Sequence, residues 1–230
     1  MEFLNNTDFW IGLIKIIWIN IILSGDNAVV IALAARSLPP EQQKKAILFG
    51  SGAAVVLRIG LTLVAAKLLE MSYLQIIGGL LLLYIGVQLL SESEEDEGQA
   101  KESGGLMAAI RTILIADLVM SLDNVIAVAA AAKGSTLLLM LGLAISIPLV
   151  VFGSTLMIKL MERFPIIVML GAALIGWVGG ETIVSDTALK EIAAANPWLH
   201  YVAAAAGAAV VIALGKFLQK RHSVADASAH

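Results

Sequence analysis

Apolar residues along this chain come in blocks of about 20, the length a helix needs to cross roughly 30 Å of hydrocarbon. The blocks run approximately over residues 10–35, 43–67, 72–90, 106–132, 136–160, 164–184 and 198–218. Charged residues and breakers separate them: Pro39-Pro40 follows the first, Pro165 opens the sixth, and Asn196-Pro197 precedes the seventh. Lipid offers the backbone no hydrogen-bond partner, so blocks of this length predict helices that satisfy their own amides. The expected fold is an all-α membrane protein with seven transmembrane helices.

Composition agrees with that pattern. The chain is 59% hydrophobic and 14% charged, with a mean hydropathy of +0.91, which excludes an ordinary soluble domain. A net charge of −3 without a basic block gives no footprint for nucleic acid. The absence of cysteine removes disulfides, thiolate metal ligands and thiol redox chemistry. The first block has no basic flank or small-residue cleavage pattern and reads as a retained helix. No HExxH, GxSxG or Ser-Lys pattern suggests an enzyme.

Lys and Arg set the expected orientation. Arg36, Lys44, Lys45, Lys101, Arg111, Lys159, Arg163, Lys216, Lys220 and Arg221 fall on one side; Lys15, Lys67, Lys133 and Lys190 fall on the other. The richer side is expected in the cytoplasm, which puts the N-terminus outside and the C-terminus inside.

The chain also repeats itself. NIILSGDNAVVIALAA at 20–35 aligns without gaps on DLVMSLDNVIAVAAAA at 117–132, matching Ser24 to Ser121, Asp26 to Asp123 and Asn27 to Asn124, with Asn20 opposite Asp117. With a connection four residues shorter the match continues, Gly60 on Gly153, Gly78 on Gly171 and Gln88 on Glu181. The division is a first three-helix repeat (1–90), an acidic cytoplasmic linker (91–105), a second three-helix repeat (106–186), and a seventh helix with a cytoplasmic tail (187–230). Three helices is an odd number, so the second repeat enters the membrane inverted. Inverted repeats are the construction of many secondary transporters, which bind substrate near the midplane between them.

An ionisable residue at the centre of a spanning helix costs about 2.5–3.5 kcal/mol and calls for a partner or a purpose. Asp26, Asp117, Asp123 and Glu181 are candidates, as are the amides of Asn20, Asn27, Asn124 and Gln88, with Arg58 as a central cation. Asn20, Ser24 and Asn27 form one helical stripe, and so do Asp117, Ser121 and Asn124. Asp26 and Asp123 point about a third of a turn away, unless the helix unwinds at the motif, which Gly25 permits and Leu122 does not. Carboxylates, amides and hydroxyls suit hard divalent cations such as Mn²⁺, Mg²⁺ or Ca²⁺. Met120 is a softer ligand candidate, although methionine in a spanning helix is usually packing. Arg58 is expected to pair with an acid. Four carboxylates against one guanidinium leave a surplus of three negative charges, which a divalent cation and a proton can neutralise in turn, the logic of proton antiport. Glu181, in GWVGGE, reads as a ligand or entry-path residue beside glycines that allow close helix approach. Asp186, just past that helix, reads as a solvated flank.

The paired Ser-x-Asp-Asn motifs on the first and fourth helices, with an acidic linker between them, resemble the TerC family of bacterial membrane proteins over about residues 9–218. That family is grouped with LysE-type transporters, is named for a link to tellurium resistance, and includes manganese exporters. The resemblance implies a Mn²⁺ exporter of the bacterial plasma (inner) membrane, with Asp26, Asn27, Asp117, Asp123 and Asn124 at the site. Asn20, standing where the second repeat has Asp117, implies an asymmetric site. The alternative expectation is a membrane scaffold or metal-delivery partner in a tellurite or metal-stress complex. The expected partners are the lipid bilayer and a divalent metal ion; a homo-oligomer is left open.

Overall fold

The computed structural model describes residues 7–23, 25–69, 71–91, 104–132 and 135–227. Among them lie nine α-helices: α1 (Thr7–Leu23), α2 (Gly25–Ala35), α3 (Pro40–Leu69), α4 (Leu74–Ser91), α5 (Gly104–Ala132), α6 (Thr136–Arg163), α7 (Ile166–Val184), α8 (Lys190–Ala195) and α9 (Trp198–Ala227). The described residues contain no strand. Most of the segment expected as an acidic linker lies outside the described residues.

Among the described residues, six helices are long and apolar enough to cross a membrane: α3, α4, α5, α6, α7 and α9. They reproduce the last six expected spans. The first expected span is not among them. It is described as two helices on either side of Ser24, a residue outside the described set. At 1.5 Å per residue the 17 residues of α1 reach about 25 Å and the 11 of α2 about 17 Å. In the second half, α5 runs uninterrupted through Leu122, so its motif sits on a regular helix.

Large apolar side chains cover the outside, among them Val56, Tyr84 and Phe152. Such a surface would drive aggregation in water but is matched to lipid tails. Inside, the helices form two groups. In the first, α3 packs on α5, and α6 covers α1, α2 and α3; in the second, α4, α7 and α9 pack mutually. Glycine makes the second group tight. A Cβ on Gly79 would stand 2.5 Å from the carbonyl oxygen of Gly179, and one on Gly176 would stand 2.6 Å from that of Gly207. Backbones touch there, as small-residue interfaces allow in lipid, where there is little hydrophobic drive between helices. The groups share one apolar core: Gly171 seats against Val29 and Leu33 of α2, and Gly78 against Val119 of α5.

Asp186 ties two helix ends together. It is fully buried, and its carboxylate accepts from the backbone amides of Tyr73 and Ala188 at Oδ1 and of Gln75 and Ile76 at Oδ2, all at 2.8–3.2 Å. The expected solvated flank is therefore a buried clamp. It supplies acceptors to the otherwise unsatisfied first amides of α4 from a residue more than 100 positions away. Burial opposes its charge, but the four amide donors outweigh that effect and hold the carboxyl below the ordinary aspartate range. The clamp also secures Tyr73, which has a φ of 71° in the left-handed region disfavoured for a tyrosine.

Candidate cation site

A cavity of about 20 Å³ lies between α2, α3, α5 and α6. Its polar lining is Asn27, Ser51, Arg58, Asp117 and Ser146; Ile31, Val55 and Val150 belong to its apolar walls. Both halves of the chain contribute. The position of each group follows from helix periodicity: Ser51, Ala54, Val55 and Arg58 stand at i, i+3, i+4 and i+7 on one stripe of α3.

The electrostatic centre is a buried ion pair. Arg58 Nη2 donates to Asp117 Oδ1, and Arg58 Nε donates to Ser121 Oγ at 3.0 Å. Arg58 is 4% exposed and Asp117 6%, and each lies within a candidate span. Removing two charges from water is costly, and a direct pair with further hydrogen bonds is what makes it tolerable. The pairing is incomplete on the acidic side. Asp117 Oδ2 is buried with no hydrogen-bond partner, and so is Ser51 Oγ. Both residues that carry these oxygens line the one small cavity.

Asp26 sits in the first turn of α2, half-buried, with its Oδ1 accepting from the Asn27 amide at 2.8 Å. Asn27 is buried and lines the cavity. The structure thus brings together Asn27, Arg58 and Asp117 of the expected residues, with Asp26 next to Asn27 in the chain and hydrogen-bonded to its amide. Asn124 is half-buried on α5 and does not line the cavity. Asn20 and Asp123 lie on described helices, α1 and α5, but their side chains are outside the described residues. Glu181 is exposed on α7, in the other helix group, and is not gathered into the site. Met120 packs in the apolar core. Among the described residues no three Asp, Glu, His or Cys side chains cluster.

Sequence reading missed Ser51 and Ser146. The signal that could have found Ser51 is its seven-residue spacing from Arg58, which puts both on one face.

The chain is similar to several bacterial membrane proteins. The Bacillus subtilis membrane protein YjbE is 48% identical over 183 residues, covering 80% of this chain and 84% of its own length. YkoY of the same organism is 27% identical, covering 84% of this chain and 64% of its own length. The Escherichia coli inner membrane protein YoaE is 29% identical, covering 78% of this chain but 38% of its own length. No solved structure matches. Residues 5–223 match the integral membrane protein TerC family, and the chain belongs to that family.

Proposed function

We propose that this protein is a secondary transporter that exports a hard divalent cation, Mn²⁺ first among them, through the cavity between α2, α3, α5 and α6. The observation that carries this reading is the buried Asp117 carboxylate, which lines the cavity and is held by Arg58 through one oxygen while the other has no hydrogen-bond partner. Arg58 acts as an internal counter-ion that neutralises Asp117 when no metal is bound and yields when one arrives. The charges agree with a divalent cargo. Asp26, Asp117 and Asp123 against Arg58 carry a net −2, which one divalent ion balances. Oxygen-only chemistry favours hard ions. A space of about 20 Å³ holds roughly one water-sized body, so the ion enters with most of its waters removed. Mg²⁺ dehydrates reluctantly, and the site therefore favours Mn²⁺ over it.

Export proceeds by alternating access of two inverted repeats around this site, with the N-terminus outside. Coupling is to protons, which replace the metal on the carboxylates and drive its release. Asn27 and Asn124 complete or orient the shell. Proteoliposomes loaded with a pH-sensitive dye test this reading. Mn²⁺ flux should move protons in the opposite direction, and Asp117→Asn should abolish both signals. Mn²⁺ flux without a pH response would remove the proton coupling; equal flux through Asp117→Asn would remove the site.

A further inference from the structure

We infer that the Ser51 hydroxyl is a direct ligand of the transported cation, standing in for a water of hydration opposite Asp117 and setting the preference for hard ions. This rests on the reading of the cavity as the cation site.

Hydroxyls inside spanning helices normally find their partner on the same helix, donating to a carbonyl three or four residues back. Thr62, Ser146, Ser154 and Thr182 all do so, at 2.6–2.8 Å. Ser51 does not. It is 2% exposed, its Oγ has no hydrogen-bond partner, and it lines the same cavity as Asp117, whose Oδ2 is likewise unpartnered. Leaving a buried hydroxyl unmade is costly, more so at membrane depth where water is scarce. Two such oxygens on one cavity, one charged and one neutral, ask for an electron-poor occupant of about the size of a single water. A dehydrated hard cation satisfies both lone-pair donors at once.

The rival occupant is a water molecule bridging Ser51 and Asp117. It would satisfy the same oxygens without giving Ser51 a part in metal choice.

The test is titration of the purified full-length protein with Mn²⁺ and, separately, Cd²⁺, for wild type, Ser51→Ala, Ser51→Thr, Ser51→Cys and Asp117→Asn. Loss of a ligand predicts Mn²⁺ binding weakened about tenfold or more in Ser51→Ala and kept within about threefold in Ser51→Thr. Ser51→Cys adds a soft ligand and should raise the Cd²⁺-to-Mn²⁺ affinity ratio by about tenfold or more. That gain of a new preference is an outcome that misfolding does not produce. If Ser51→Ala and Ser51→Cys bind both metals as wild type does while Asp117→Asn loses Mn²⁺, the cavity is a cation site, a water occupies the hydroxyl, and the inference is overturned. If Mn²⁺ binding is the same in Asp117→Asn as in wild type, or absent from both, the reading of the cavity itself falls and takes Ser51 with it.

Discussion

The helices around the cavity and the block formed by α4, α7 and α9 solve the same problem in opposite ways. Both must associate within lipid, where apolar side chains gain little by leaving one helix neighbour for another. The block does it by backbone approach, with glycine stacked on glycine at Gly79–Gly179 and Gly176–Gly207 and no charge inside the crossings. The cavity group does it around a guanidinium, a carboxylate and three serines, and leaves oxygens of Ser51 and Asp117 unsatisfied. A close-packed interface of the first kind has one good arrangement. A polar interface with spare acceptors leaves room for a second, and under the proposed function a cation takes the place of Arg58 in it. Under the proposed function, ion handling falls to the cavity group, while the glycine block supplies close packing.

Breaking the pair on its basic side should have the largest effect. Arg58→Ala strands Asp117 as an uncompensated buried carboxylate, a loss of about 3–5 kcal/mol. Thermal denaturation in detergent should show that loss, and millimolar Mn²⁺ should restore part of it by taking the place of the guanidinium. No rescue by Mn²⁺ would separate the pair from metal binding. Next comes the block. A methyl group on Gly180 meets the backbone of Ala203 and Ala204, so Gly180→Ala should destabilise by about 1–3 kcal/mol. Mn²⁺ should not rescue it, a contrast with Arg58→Ala read in the same melting experiment.

The clamp at Asp186 should follow closely. Asp186→Asn removes the charge from a carboxylate that accepts four amides, at a cost of roughly 2 kcal/mol. Because folding lowers this carboxyl's pKa, its contribution is full above the ordinary aspartate range and fades as pH falls through the lowered value. The melting-temperature gap between wild type and Asp186→Asn should be constant near neutral pH and close in acid. A gap that widened in acid would contradict the assigned sign. The smallest effect is expected at Glu181, which is exposed on the block. Glu181→Gln should leave Mn²⁺ flux within about twofold of wild type, as surface changes away from a site usually do; a large loss would extend the ion's path across α7.

Much of this division can be read from the residues. Apolar block length located the six long spans within a few residues, because lipid imposes that length on helices. Asp117 and Arg58 stand out since each is an ionisable group deep in an apolar run. Their pairing with each other rather than with Asp26 depends on how α3 crosses α5, which no local pattern encodes. Ser51 was invisible for a different reason. A serine in an apolar helix ordinarily bonds its own backbone, and only the neighbours decide which hydroxyl is left over. Asp186 carried a readable signal, an aspartate just ahead of a helical turn, and it does cap Ala188. Its other three partners come from residues 73–76, over 100 positions earlier, and that meeting is a property of the fold. Glu181 was drawn to the site by its alignment with Gln88 and its membrane depth, but helical phase turns it outward.

The central claim is that Asp117 binds the transported ion. Isothermal titration of the purified protein with Mn²⁺, wild type against Asp117→Asn, tests it most directly. The account predicts a single saturable binding event in wild type that is lost in the variant, with both proteins folded by their melting curves. Equal Mn²⁺ binding by the two would contradict it.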